Sequence, residues 1–146
     1  MFEVSNLWHT IGMKYFVAYR HTGEDPDRLR TLLVPIRQAF ERRDDEIYCT
    51  FFNDASFRAR GLGPHEIMYE AFQKIEEMGH LFVVLDSLDK SEGMLMEIGY
   101  CIAKKIPITI AYNRAITDSY VPHMVSSTIA YSDIDELVAS IDRMVV

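Results

Sequence analysis

One carboxylate stands apart from the pattern around it. Between Gly93 and Lys104 the only charged residue is Glu97, set in the run Met94-Leu95-Met96-Glu97-Ile98. Two readings fit it. Glu97 could lie on the solvent edge of a helix or pair with a nearby Lys or Arg, or it could point into a ligand crevice and do chemistry. For the second reading, a Glu early in the helix that follows a parallel strand faces the crevice beyond that strand's carboxyl end. The positive end of the helix would favour its ionised form, which suits a nucleophile or an electrostatic stabiliser better than a general acid.

Other groups could work beside it. Arg20 and His21 follow a short apolar run with Gly23 close behind, and an arginine at a strand's carboxyl end can grip a phosphate or carboxylate, or merely pair with an acidic neighbour. Asp86 and Ser87 close a second such run. Ser91 reads as a helix N-cap, and with Gly93 nearby a capped helix start can also hold a phosphate on its free amides. The histidines His9, His21, His65, His80 and His123 show no ligand spacing, so neither a metal site nor a cofactor is expected. Gly61-Leu62-Gly63 follows a long loop rather than a strand, and no dinucleotide or Walker motif is present.

The elements that must position these residues alternate along the chain. Lys14 to Tyr19 reads as a strand, and a helix follows from the N-cap Asp25-Pro26, with Leu29, Leu32, Leu33, Ile36, Ala39 and Phe40 at helical spacing and Pro35 as a kink or weak point. Glu46 to Phe52 reads as a strand and 53–63 as a loop. A second helix runs from Gly63-Pro64 to a stop at Gly79. Leu81 to Leu85 and Ile106 to Ala111 read as buried parallel strands. Between them Met94, Ile98, Cys101 and Ile102 mark a helix ending at Lys104-Lys105. After the polar segment 113–122, a short strand from Ser127 to Tyr131 and a helix from Asp133 complete the chain. This order predicts a single α/β domain, a flavodoxin-like (Rossmann-like) three-layer sandwich with a parallel sheet in the order 2-1-3-4-5. The switch point then gathers the loops after Tyr19 and Asp86 and the start of the Glu97 helix around one crevice.

Composition excludes some classes. A net charge of −7 over 146 residues argues against a nucleic-acid polymer as partner, because such binding rests on clustered Lys and Arg. No apolar run approaches the roughly 20 residues of a membrane helix, so no membrane partner is expected. Cys49 and Cys101 read as reduced core thiols. The N-terminus lacks a signal-peptide pattern, which makes a cytoplasmic location the default. Residues 1–12 precede Met13 and the first strand and read as an extension of no assigned role, with the domain proper at 13–146.

Together these residues resemble the nucleoside 2-deoxyribosyltransferase superfamily over most of 14–143. The most specific part runs from Ser91 to Pro107, with Gly93, Glu97-Ile98-Gly99, Cys101 and Pro107 in step with the family pattern. The resemblance implies that Glu97 attacks the anomeric carbon of a nucleoside and forms a covalent ribosyl-enzyme that water or a second base then resolves, making the chain a hydrolase or a deoxyribosyl transferase. Serine six residues before it, here Ser91, places the chain nearer the 2′-deoxynucleoside 5′-phosphate N-hydrolase branch. Ser91, the helix start and Arg20 would then hold a 5′-phosphate, and water would be the acceptor. Phe72 stands where the family carries an aspartate, which leaves the base-protonating role open between Tyr19 and His21. The resemblance also implies a homodimer or higher homo-oligomer whose partner completes the site, with His123 and Met124 as the contributors. The competing expectations are a TIR-like domain that cleaves nicotinamide from NAD and a non-catalytic nucleotide-sensing or interaction module.

Overall fold

A computed structural model of the chain describes residues 12–52 and 59–145. The extension read at 1–12 and the loop read at 53–63 therefore fall largely outside the described residues. The strands are β1 (Lys14–Ala18), β2 (Glu46–Tyr48), β3 (Leu81–Leu85), β4 (Ile108–Asn113) and β5 (Ser127–Tyr131). The helices are α1 (Pro26–Arg42), α2 (Pro64–Met78), α3 (Glu92–Lys104) and α4 (Ile134–Asp142), and single 3-10 turns lie at Thr50–Phe52 and Val121–Met124. All strand pairs are parallel and the order is β2-β1-β3-β4-β5, the flavodoxin-like order that the alternation of elements predicts.

Because successive side chains of a strand point to opposite faces, β1 feeds two cores. Tyr15 and Val17 pack with Phe82 and Val84 of β3 under α1 and α4, through Leu33, Ile36, Phe40, Leu137 and Ile141. Phe16 and Ala18 pack with Leu81 and Val83 under α2 and α3, through Ala71, Ile75, Met94, Ile98 and Cys101. Each fully buried aliphatic or aromatic side chain contributes about 1.5–3 kcal/mol, so the central strands β1 and β3 are the most firmly held part of the sheet.

Local signals fix the helix ends. Asp25, Ser91 and Asp133 cap α1, α3 and α4 by accepting from Asp27 N, Met94 N and Glu136 N. Gly79 ends α2 at φ 77°, a left-handed conformation that glycine adopts without a Cβ penalty.

Several expectations are corrected. The strand read over Glu46–Phe52 stops at Tyr48, because Phe52 N turns back to Cys49 O at 3.1 Å and the Arg37 guanidinium covers the Phe52 ring at 4.1 Å. The strand read from Ile106 begins at Ile108. Lys105 adopts φ 59° and Ile106 N bonds back to Cys101 O at 2.9 Å, so both residues still close α3. Pro35 lies inside the continuous helix α1, between the buried Leu33 and Ile36. Ile102 is exposed rather than core. Gly12 lies close against the turn before β2, where a Cβ would stand 1.8 Å from the Asp44 carbonyl oxygen.

Candidate active site

The sheet reverses direction of growth at β1, and the carboxyl ends of β1 and β3 open there between α2 and α3. The sequence sets up this opening. Phe16 and Ala18 floor it, apolar residues of α2 (Ile67, Met68, Ala71) form one wall, and the capped start of α3 forms the other. The cavity measures about 500 Å³, within the range of ligand sites.

Glu97 lines this cavity and is only 9% exposed. It does not pair with a Lys or Arg; among the described residues no cation or hydrogen-bond donor meets its carboxyl group, which faces the cavity. Burial pushes its pKa from 4.5 to about 8, because removing the carboxylate from water disfavours the charged form. The expectation that the helix would hold it ionised is thus corrected. Glu97 lies beyond the first turn of α3, where the helix N-terminal charge has faded, and desolvation wins.

Tyr19, Arg20 and His21 line the same cavity, with Thr22 and Thr50 beside them. Tyr19 Oη accepts from Thr50 Oγ1 at 3.2 Å, and the His21 ring stands edge-on to Tyr19 with centroids 6.1 Å apart. Arg20 donates to Glu24 Oε1 at 2.6 Å and lies 4.0 Å from Asp89, so the pairing reading of this arginine is realised. Its Nε is nonetheless buried with no acceptor among the described residues. Gly23 is not among the residues lining this cavity; at φ +80° it turns the loop where a Cβ would meet Arg20 Nη2 at 3.4 Å.

Ser91 spends its hydroxyl as the N-cap, accepting from Met94 N at 3.3 Å, while the backbone amides of the first turn of α3 have no intrahelical partner. Lys90, Ser91 and Gly93 all face the cavity. A Cβ at Gly93 would meet nothing closer than Met68 Sδ at 3.8 Å, so packing alone does not demand glycine there.

Not every sequence candidate joins this group. Asp86 and Ser87 line a second cavity of about 260 Å³ on the β4 side. Asp86 is held by Arg28 Nη2 at 2.6 Å and by Asn113 Nδ2 at 3.3 Å. Ser87 accepts from Asp89 N at 3.2 Å. His123 and Met124 sit on the second 3-10 turn and line neither cavity; Met124 is 55% exposed. Phe72 stacks on Tyr100 with centroids 4.3 Å apart and planes 9° from parallel, and it does not line the cavity.

The sequence reading missed Thr50, Met68 and Lys90 as wall residues. Thr50 was hidden inside an expected strand and Met68 inside an ordinary amphipathic helix. Lys90, directly before the N-cap, was the one with a visible signal. Among the described residues no group of three or more His, Cys, Asp or Glu could hold a metal ion. Cys49 and Cys101 are both buried, and burial pushes each thiol up to about 12, with the Glu97 charge adding in the same direction. Neither is a nucleophile at neutral pH.

The chemistry available is that of one buried, unpaired carboxyl group, Glu97, with hydroxyl, imidazole, guanidinium and ammonium groups and the exposed carboxylate of Glu92 also lining the cavity. Such a group can stabilise or attack a centre that becomes positive. No family model matches the chain, and no curated protein does either. Among solved structures, the Clostridium botulinum CMP N-glycosidase BcmB superposes with a TM-score of 0.65 at 17% identity, covering 88% of this chain and 97% of that one. A conserved protein from Enterococcus faecalis V583 superposes with a TM-score of 0.63 at 16% identity, covering 91% and 99%. At these identities the likeness is one of fold. No helix among the described residues is long and apolar enough to cross a membrane.

Proposed function

We propose that the chain cleaves the N-glycosidic bond of a nucleoside 5′-monophosphate or nucleoside, with Glu97 as the nucleophile. The observation that carries this reading is the unpaired, 9% exposed carboxyl group in a cavity at the switch point of the sheet. The fold shared with a CMP N-glycosidase supports it.

Glu97 reacts as the carboxylate. One oxygen attacks C1′ of the sugar, the C1′–N bond breaks, and its electron pair leaves on the base, which takes up a proton. A glycosyl ester on Glu97 results. Water then attacks C1′, the ester C–O bond breaks, and the carboxylate is regenerated as the water loses a proton, as in retaining glycosidases. Ionisation is unfavourable in the empty cavity, but positive charge growing at C1′ offsets it; the same poor solvation makes the carboxylate a stronger nucleophile once formed. The departing base receives its proton from the Tyr19–His21 end of the cavity. Arg20, Lys90 and the amides at the start of α3 hold the 5′-phosphate.

We propose in addition that a second copy of the chain completes the site with its His123 and Met124, a reading supported by the exposure of Met124 on the turn that follows β4.

The test is chromatographic detection of free base after incubation of wild type and Glu97→Gln with a panel of ribo- and deoxynucleoside 5′-monophosphates and nucleosides. Release by wild type and its loss by at least about a thousandfold in Glu97→Gln is the expected result. No release by folded wild type across the panel overturns the reading and favours a binding module.

A further inference from the structure

The two cavities share a rim. Arg20, Lys90, Ser91 and Met94 line both of them. The rim therefore carries two cations and the capped start of α3, and the buried Arg20 Nε on it has no acceptor among the described residues. On one side lies the unpaired Glu97. The other side has different chemistry.

The second cavity presents the carboxylates Asp89 and Asp118 beside Leu88, Leu95 and Tyr120. Leu88 is 71% and Tyr120 77% exposed, which is unusual for large apolar side chains around a concave surface and provides faces on which a ring can lie. Asp89 lies at the limit of an ion pair with Arg20, at 4.0 Å, and stays largely exposed; such carboxylates repel a phosphate but accept hydrogen bonds from sugar hydroxyls. In sequence across the molecule, the groups thus suit a glycosidic centre, then an anion, then a hydroxyl-rich unit with a planar ring.

We propose that the preferred substrate is a nucleotide joined through its phosphate to a second nucleoside-like group, of the dinucleoside diphosphate class. The half that is cleaved occupies the Glu97 cavity, the bridging phosphates lie on the Arg20–Lys90 rim, and the second sugar and ring occupy the cavity of Asp89, Asp118 and Tyr120. This inference rests on the glycosidase reading of Glu97 and extends it. At about 260 Å³ the second cavity is small for a complete ligand site but adequate as an extension of the first.

The test is isothermal titration of the full chain carrying Glu97→Gln, which removes turnover, with NAD and diadenosine diphosphate against AMP and CMP. The dinucleotides are expected to bind at least tenfold more tightly than either mononucleotide. Tyr120→Ala, and separately Leu88→Ala, are expected to bring the dinucleotide affinity down to the mononucleotide level; both positions are exposed, so folding is not at stake. Dinucleotides that bind no more tightly than mononucleotides, or an advantage untouched by both substitutions, overturn the proposal. Base release by wild type separates the two readings. Mononucleotide cleavage without a dinucleotide preference overturns the extension and keeps the glycosidase. Tight dinucleotide binding without base release from any substrate supports the bipartite site and overturns the glycosidase. Binding of none of the four overturns the extension, and base release across the nucleotide and nucleoside panel then decides the glycosidase reading separately.

Discussion

The Tyr131 hydroxyl donates to Asp86 Oδ1 at 2.5 Å and so ties the end of β5, across β4, to the end of β3. The other Asp86 oxygen takes the Arg28 guanidinium at 2.6 Å, and Arg28 in turn holds Glu24 at 2.9 Å, the partner of Arg20. A single chain of polar contacts therefore runs from the last strand to the mouth of the Glu97 cavity. Asp86 works here as the anchor of that chain, at a distance from the proposed chemistry.

Tyr131→Phe removes one donor and leaves the Asp86 carboxylate with Arg28 and Asn113. The expected loss is about 1–2 kcal/mol of stability, since the bond is buried and charge-assisted. Urea denaturation of the two proteins checks it; equal midpoints would show that the bond contributes nothing.

Glu97 should give the stability curve a distinctive slope. The folded chain binds this proton more tightly, at about 8 against the ordinary 4.5. The associated stabilisation is fully present below about 4.5 and is lost as pH rises through about 8. Glu97→Gln is expected to lack that slope and to be more stable than wild type at pH 9 by on the order of a few kcal/mol. Denaturation at pH 5, 7 and 9 decides it, and parallel curves would show that Glu97 is better solvated than its surroundings imply.

Gly93→Ala separates packing from ligand binding. Its Cβ would stand in ordinary contact with Met68 Sδ at 3.8 Å, and alanine is the better helix residue. Thermal stability is expected to hold or rise slightly, while nucleotide affinity falls at least tenfold because the methyl projects into the cavity beside the phosphate-holding amides. Unchanged affinity would place the ligand elsewhere.

The two thiols should be silent. With burial pushing Cys49 and Cys101 up to about 12, modification by an aromatic disulfide reagent at pH 8 is expected to be slower than in the urea-unfolded chain by at least about a hundredfold. Rapid reaction of the native protein would contradict the packing around Glu97.

Much of this was legible in the sequence because it depends on short-range pattern. The β-branched runs of β1 and β3, the caps Asp25, Ser91 and Asp133, and the stop at Gly79 each act within a few residues of themselves, and the order of the sheet follows from their alternation. Glu97 was legible as an anomaly for the same reason. The upward push on its pKa was not, because it comes from burial in a cavity whose other walls, Phe16, Ala18 and α2, are remote in sequence. Thr50 was missed for a related reason: the turn that carries it is shaped by Arg37 of α1 lying over Phe52. The division of Asp86 and Glu97 between two cavities is likewise tertiary. Both follow β3 in the chain, and only the placement of Arg20 and Lys90 between the cavities separates them.

The most direct test of the central claim is the pH dependence of kcat/KM for base release, measured in wild type with its best mononucleotide from the panel. For a nucleophile that must be ionised in the free enzyme, the rate constant should rise with pH and level off through an apparent pKa of about 8, and Glu97→Gln should remove the activity with its fold intact. A rate that falls as pH rises through that value would make the protonated form of Glu97 the working species. Activity surviving in Glu97→Gln would remove this residue from the chemistry altogether.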